Sequence, residues 1–104
     1  MTVPASLKFE PAANSDDPAR YAHVYSKSAS VQVVHYPAWT EEGSDEQAGC
    51  RVAVTVRVYG DCAHSSWGFG ESLEDALRGA TERMRERCVF AHEHYVSTVT
   101  GVVA

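Results

Sequence analysis

Val52, Val54, Val56 and Val58 alternate with Arg51, Ala53, Thr55, Arg57 and Tyr59 through the stretch CRVAVTVRVY, and no other feature constrains the fold as tightly. Successive side chains of a strand point to opposite faces, so the valines belong in a core while the arginines stay in water. A sheet dry on one side and wet on the other is the mark of antiparallel pairing, with cover on one face only. The cover is legible further along. Ser72 stands where an N-cap is needed, Asp75 follows three residues later, and Leu73, Leu77, Ala80, Met84 and Cys88 recur at three- and four-residue steps. Glu74 and Asp75 suit the positive end of a helix dipole, and Arg83, Arg85 and Arg87 suit its negative end. Glu74 and Arg78 are spaced for an i,i+4 ion pair.

The neighbours of these two elements complete the expectation. Tyr21 to Tyr36 is β-prone, as one long strand or two short ones, with Pro37 ending the run. Gly60-Asp61 offers a turn, and His64 to Phe69 returns as a third strand. Val96, Thr98, Val99, Thr100, Val102 and Val103 are β-branched and predict a final strand. The fold expected is α+β, an antiparallel sheet of three to four strands packed against one main α-helix, in the order β-β-β-α-β. With 104 residues there is room for one domain, placed at 21–104. Residues 1–20, with Pro4, Pro11, Pro18, Asn14, Asp16 and Asp17, predict an extended or poorly ordered arm with a short strand at Leu7-Lys8-Phe9.

No apolar run approaches the roughly 20 residues that span a bilayer, and Met1-Thr2-Val3-Pro4 lacks a basic, apolar leader, so a cytoplasmic protein with no membrane contact is expected. Cys50, Cys62 and Cys88 are odd in number and widely spaced, which predicts reduced, largely buried thiols. The net charge of −5 disfavours direct nucleic-acid binding, with Arg78, Arg83, Arg85 and Arg87 as a local exception.

Several motifs carry residue types used in chemistry, and each also has a plainer use. Gly68 and Gly70 before a helix suggest an anion loop, but the dinucleotide and nucleotide signatures are incomplete and Glu71 would repel phosphate. A strand-to-helix corner explains them. Cys62, His64, Cys88 and His92 have the ligand types for a zinc-binding domain or a small metal-dependent enzyme, without a paired Cys-x-x-Cys spacing. Cys62, Ser65 and Ser66 near His64 supply nucleophile and base types without a strained nucleophile turn. The reading adopted is therefore non-enzymatic, with no catalytic residue, no metal and no cofactor. The acid-rich stretch 37–49 holds Trp39 beside Glu41, Glu42, Asp45 and Glu46, an indole among carboxylates that suits a protein interface.

Gly70, Glu71, Ser72, Leu73, Glu74, Asp75 and Ala76 together resemble the strand-to-helix corner of HicB-like antitoxin domains, and Asp61-Cys62 is similar to the short turn before it. That resemblance implies a sheet-and-helix domain that neutralises a small basic ribonuclease by binding it. The expected function is thus an inhibitor that binds a basic, nucleic-acid-handling protein through Trp39, Glu41, Glu42, Asp45 and Glu46, either antitoxin-like or a phage-type anti-defence protein. A homodimer or larger homo-oligomer, paired through the wet sheet face or an exposed edge, is the remaining alternative.

Overall fold

The structure, a computed structural model, describes residues 3–11, 19–39 and 49–101. Five strands form one antiparallel sheet in sequence order: β1 (Glu10–Pro11), β2 (Arg20–Tyr25), β3 (Ala29–Trp39), β4 (Gly49–Val58) and β5 (Ala63–Gly70). Two helices follow, α1 (Leu73–Arg87) and α2 (Val89–Thr100). The valines of β4 are all buried, and they meet Ala22, Val31 and Val33 of the neighbouring strands and Ala76, Leu77, Ala80 and Met84 of α1 in one core.

Short turns set the register. Between β2 and β3 the Ser26 hydroxyl accepts hydrogen bonds from the amides of Ala29, at 3.1 Å, and Ser28, at 3.3 Å. Between β4 and β5, Gly60 takes φ +85°, a conformation that suits glycine, and the Asp61 amide donates to the Val58 carbonyl. Pro37 does not end its strand. β3 runs on to Trp39, and the register shifts between Tyr36 and Trp39, where a residue without an N–H is tolerated.

The expected order is corrected at three points. The sheet has five strands, because a two-residue strand pairs Glu10 with Tyr21 and Pro11 with Arg20. That strand lies just after Leu7-Lys8-Phe9, and Leu7 is instead a core residue. The expected last strand is helical through Thr100, while Val102 and Val103 lie outside the described residues. In α2 the buried residues are Ala91, Tyr95, Thr98 and Val99, a helical period that outweighs β-branching because one face of the element meets the core. The Ser6 hydroxyl donates to the Val99 carbonyl, and the Ser26 and Thr98 hydroxyls are 3.1 Å apart, tying α2 to the N-terminal stretch and the β2–β3 turn.

Both helices cover the same face of the sheet, and α1 lies closest, directly on β5. A Cβ built at Gly68 would overlap the Ala76 carbonyl oxygen and the Ala80 amide nitrogen. At Gly70 it would lie 2.7 Å from the Asp75 Cβ and 2.9 Å from the Ala76 nitrogen. These glycines serve backbone approach, the corner rather than the anion loop. Ser72 caps α1 as expected, accepting from the Asp75 amide, and Arg78 pairs with Asp75 at 3.0 Å. No helix of the described residues is long and apolar enough to cross a membrane.

Candidate functional site

Strand alternation and pairing register decide which side chains stay on the uncovered face. Tyr21, Val34, Ala53 and Trp67 lie opposite one another across four strands, and Tyr36, Arg51 and Phe69 form the next row. His23, Gln32, Thr55 and Ser65 form a third row, in which the hydroxyls of Thr55 and Ser65 lie 3.0 Å apart. Tyr25 and Arg57 belong to a fourth row. No Asp or Glu stands on this face of β2 to β5; Glu10, on β1, is at its margin.

The face is aromatic and exposed. Trp67 is 47% and Phe69 48% accessible, and Tyr25 reaches 69%. Phe69 lies over Gly49, where a Cβ would come within 2.8 Å of its ring and 2.6 Å of the Gly70 carbonyl oxygen. Around Trp67 the side chains alternate ring and cation. The Arg51 guanidinium is 6.0 Å from the Tyr36 ring centre and 5.1 Å from the indole, and Arg83, reaching from α1, is 4.6 Å from the same indole. Exposed contacts of this kind contribute about 0.5–1 kcal/mol each, too little to be the reason for two cations at one ring. Arg57, Arg83 and Arg87 form no ion pair among the described residues.

A second feature lies at the α1–α2 junction. A cleft of about 260 Å³ is lined by Ala63, His64, Ser65, Met84, Arg87 and Cys88. The buried Nε2 of His64 has no hydrogen-bond partner there. Two of the expected metal-ligand residues, His64 and Cys88, thus share one cleft. Cys62 is exposed on the β4–β5 turn, contrary to the expectation of largely buried thiols, and its amide donates to the Asp61 carboxylate. The backbone is extended at Cys88, with φ −157°, so α1 ends there and Cys88 and His92 do not lie on one continuous helix. Among the described residues no three His, Cys, Asp or Glu side chains are grouped to hold one ion.

The nucleophile set is brought together only in part. Ser66 is buried and donates its hydroxyl to the Ala80 carbonyl at 2.6 Å, fastening β5 to α1, while Ser65 lines the cleft with His64 but has its hydroxyl 3.0 Å from that of Thr55. Groups with displaced proton affinities do not converge either. Burial, then Arg20, lowers His35; burial, then Arg85, lowers His92 against a smaller opposing effect of Glu93. Burial, then Asp75, raises Cys50, and burial pushes the Tyr95 phenol up to about 12. None of these four is on the aromatic face.

Of the interface residues expected from sequence, Trp39 is placed only by its backbone, which pairs with Gly49. Glu41, Glu42, Asp45 and Glu46 lie outside the described residues. The meeting of Tyr36, Arg51 and Arg83 at Trp67 was missed. Parity within β4 indicated that Arg51 faces outward, but only the pairing register and the seat of α1 bring Arg51 and Arg83 to one ring. The chain matches no protein-family profile, and it matches neither a curated protein nor a solved structure.

Proposed function

We propose that this chain is a non-enzymatic binding module whose working surface is the uncovered face of the sheet. The observation that carries the reading is the alternation of Tyr36, Arg51, Trp67 and Arg83 on a face that no described element of the chain covers. Trp, Tyr and Arg are the side chains that dominate binding energy at interfaces, because each combines a large apolar area with a polar or charged edge. Phe69 and Tyr25 extend the same surface. The dispersal of His64, Ser66, Cys62 and Cys88 among a cleft, a helix contact and a turn gives catalysis no comparable support.

The inhibitor role belongs to this reading as its protein-directed form. Trp39 pairs with Gly49 at the end of the face next to the row of Tyr36, Arg51 and Phe69, and the acid-rich sequence runs between these two residues in the chain. Its carboxylates suit a basic protein partner and would speed its encounter. The test is capture from host extract, followed by binding measurements on the captured partner. Trp67→Ala is expected to weaken binding about tenfold or more, as for a hot-spot residue. Neutralising Glu41, Glu42, Asp45 and Glu46 is expected to slow association and flatten its salt dependence. Partner binding unchanged by Trp67→Ala, Tyr36→Ala and Phe69→Ala together would remove the face from consideration.

A further inference from the structure

We infer that the β5 side of this face binds single-stranded nucleic acid. The inference rests on the binding-module reading and names the ligand of the same surface. β5 carries no Asp, Glu, Lys or Arg, and arginines flank it on both sides. Arg51 and Arg57 stand on β4, opposite Phe69 and Ala63. Arg83 reaches the Trp67 indole from α1, and Arg87, one helical turn on, lines the cleft beside His64 and Ser65. Arg57, Arg83 and Arg87 have no carboxylate partner among the described residues, and the exposed rings between the arginines are Trp67 and Phe69.

Rings spaced along a sheet and bordered by cations meet two demands of a flexible strand. Bases stack on aromatic faces, and phosphates pair with guanidinium groups. A duplex keeps its bases stacked on one another and has no use for exposed rings. A second copy of this chain is a poorer occupant, because face-to-face packing would set Arg51 and Arg57 against the same residues with no opposing acid on β2 to β5. The net charge of −5 opposes a polyanion at long range, so binding should be strongest at low salt, where the local arginine contacts are least screened. On binding, Arg83 would turn from the indole to a phosphate and leave a ring face for a base.

The probe is a fluorescein-labelled thymidine dodecamer and its uridine counterpart, followed by anisotropy across a salt series. Arg83→Glu is compared with Arg85→Glu, which makes the same charge change on the opposite side of α1, near Glu82 and Glu86. Wild type should bind, Arg83→Glu should lose about tenfold or more, and Arg85→Glu should stay close to wild type. Neutralising one arginine of the strip should lower the salt slope by about 0.7. Trp67→Ala should weaken binding with the slope unchanged, and Trp67→Phe should restore most of it, which separates stacking from misfolding. No binding of either oligomer at low salt overturns the inference. So do equal losses in Arg83→Glu and Arg85→Glu, or displacement by polyglutamate as readily as by unlabelled oligomer. If oligomers fail while Trp67→Ala still severs a captured protein, the binding-module reading stands and the nucleic-acid inference falls. If neither responds, both fall.

Discussion

Gly68 illustrates how one missing side chain sets the distance between two elements. The Ala76 carbonyl and the Ala80 amide of α1 occupy the space a Cβ would need, and both belong to helix backbone that cannot step aside alone. Gly68→Ala must therefore lift α1 from β5, which also stretches the 2.6 Å bond from the Ser66 hydroxyl to Ala80. Overpacking of this kind costs about 1–3 kcal/mol. Denaturant unfolding should place Gly68→Ala in that range, and Ser66→Ala about 1 kcal/mol below wild type. A Gly68→Ala variant as stable as wild type would mean that α1 does not sit on β5 as described. The same contact matters to the candidate site, because Arg83 reaches Trp67 only while α1 keeps its seat.

At the scale of elements, β4 and α1 were legible because local pattern and tertiary demand agree there. The four valines face the core, and Ser72 caps the helix with the Asp75 amide, as the spacing required. Ser72→Ala should cost about 1 kcal/mol and speed hydrogen exchange at the Asp75 amide, with little change in β4. Uniform acceleration through the whole sheet would contradict a local capping role. α2 was misread because Val96, Thr98, Val99 and Thr100 favour strands intrinsically, while the Ala91, Tyr95, Thr98 and Val99 spacing that packs on the core is helical. Its carbonyls also find local donors, since the Ser97 and Thr100 hydroxyls bond back to His94 and Val96. Composition pointed one way and periodicity the other, and burial decided between them. The face itself was half legible. Alternation placed Arg51 outside, but nothing local to its strand indicated that it would share the Trp67 ring with Arg83.

Across the whole molecule, buried titrating groups set the pH range in which the fold is strongest. His35 and His92 ordinarily titrate near 6.5, and burial lowers both in the fold, with Arg20 and Arg85 adding to the effect. The folded state thus prefers neutral imidazole, and the stability linked to it is present above about 6.5 and lost as pH falls through the lowered values. Cys50 and Tyr95 act in the opposite direction. Their pKa values are raised in the fold, from 9.0 for the thiol and from 10.0 to about 12 for the phenol. Their contribution is complete below the ordinary value of each group and disappears as pH climbs through the raised one. Thermal unfolding followed against pH should therefore show a plateau between about 6.5 and 9, with an acid limb from the histidines and an alkaline limb from Cys50 and Tyr95. The two limbs can be separated by substitution. Tyr95→Phe keeps the ring but cannot ionise, so it should remove the part of the fall between pH 10 and 12, a contribution of roughly 3 kcal/mol. His92→Gln should flatten the acid limb only. An alkaline limb identical in wild type and Tyr95→Phe would show that the phenol is not held in the interior where α2 meets the sheet. α2 would then need a different seat.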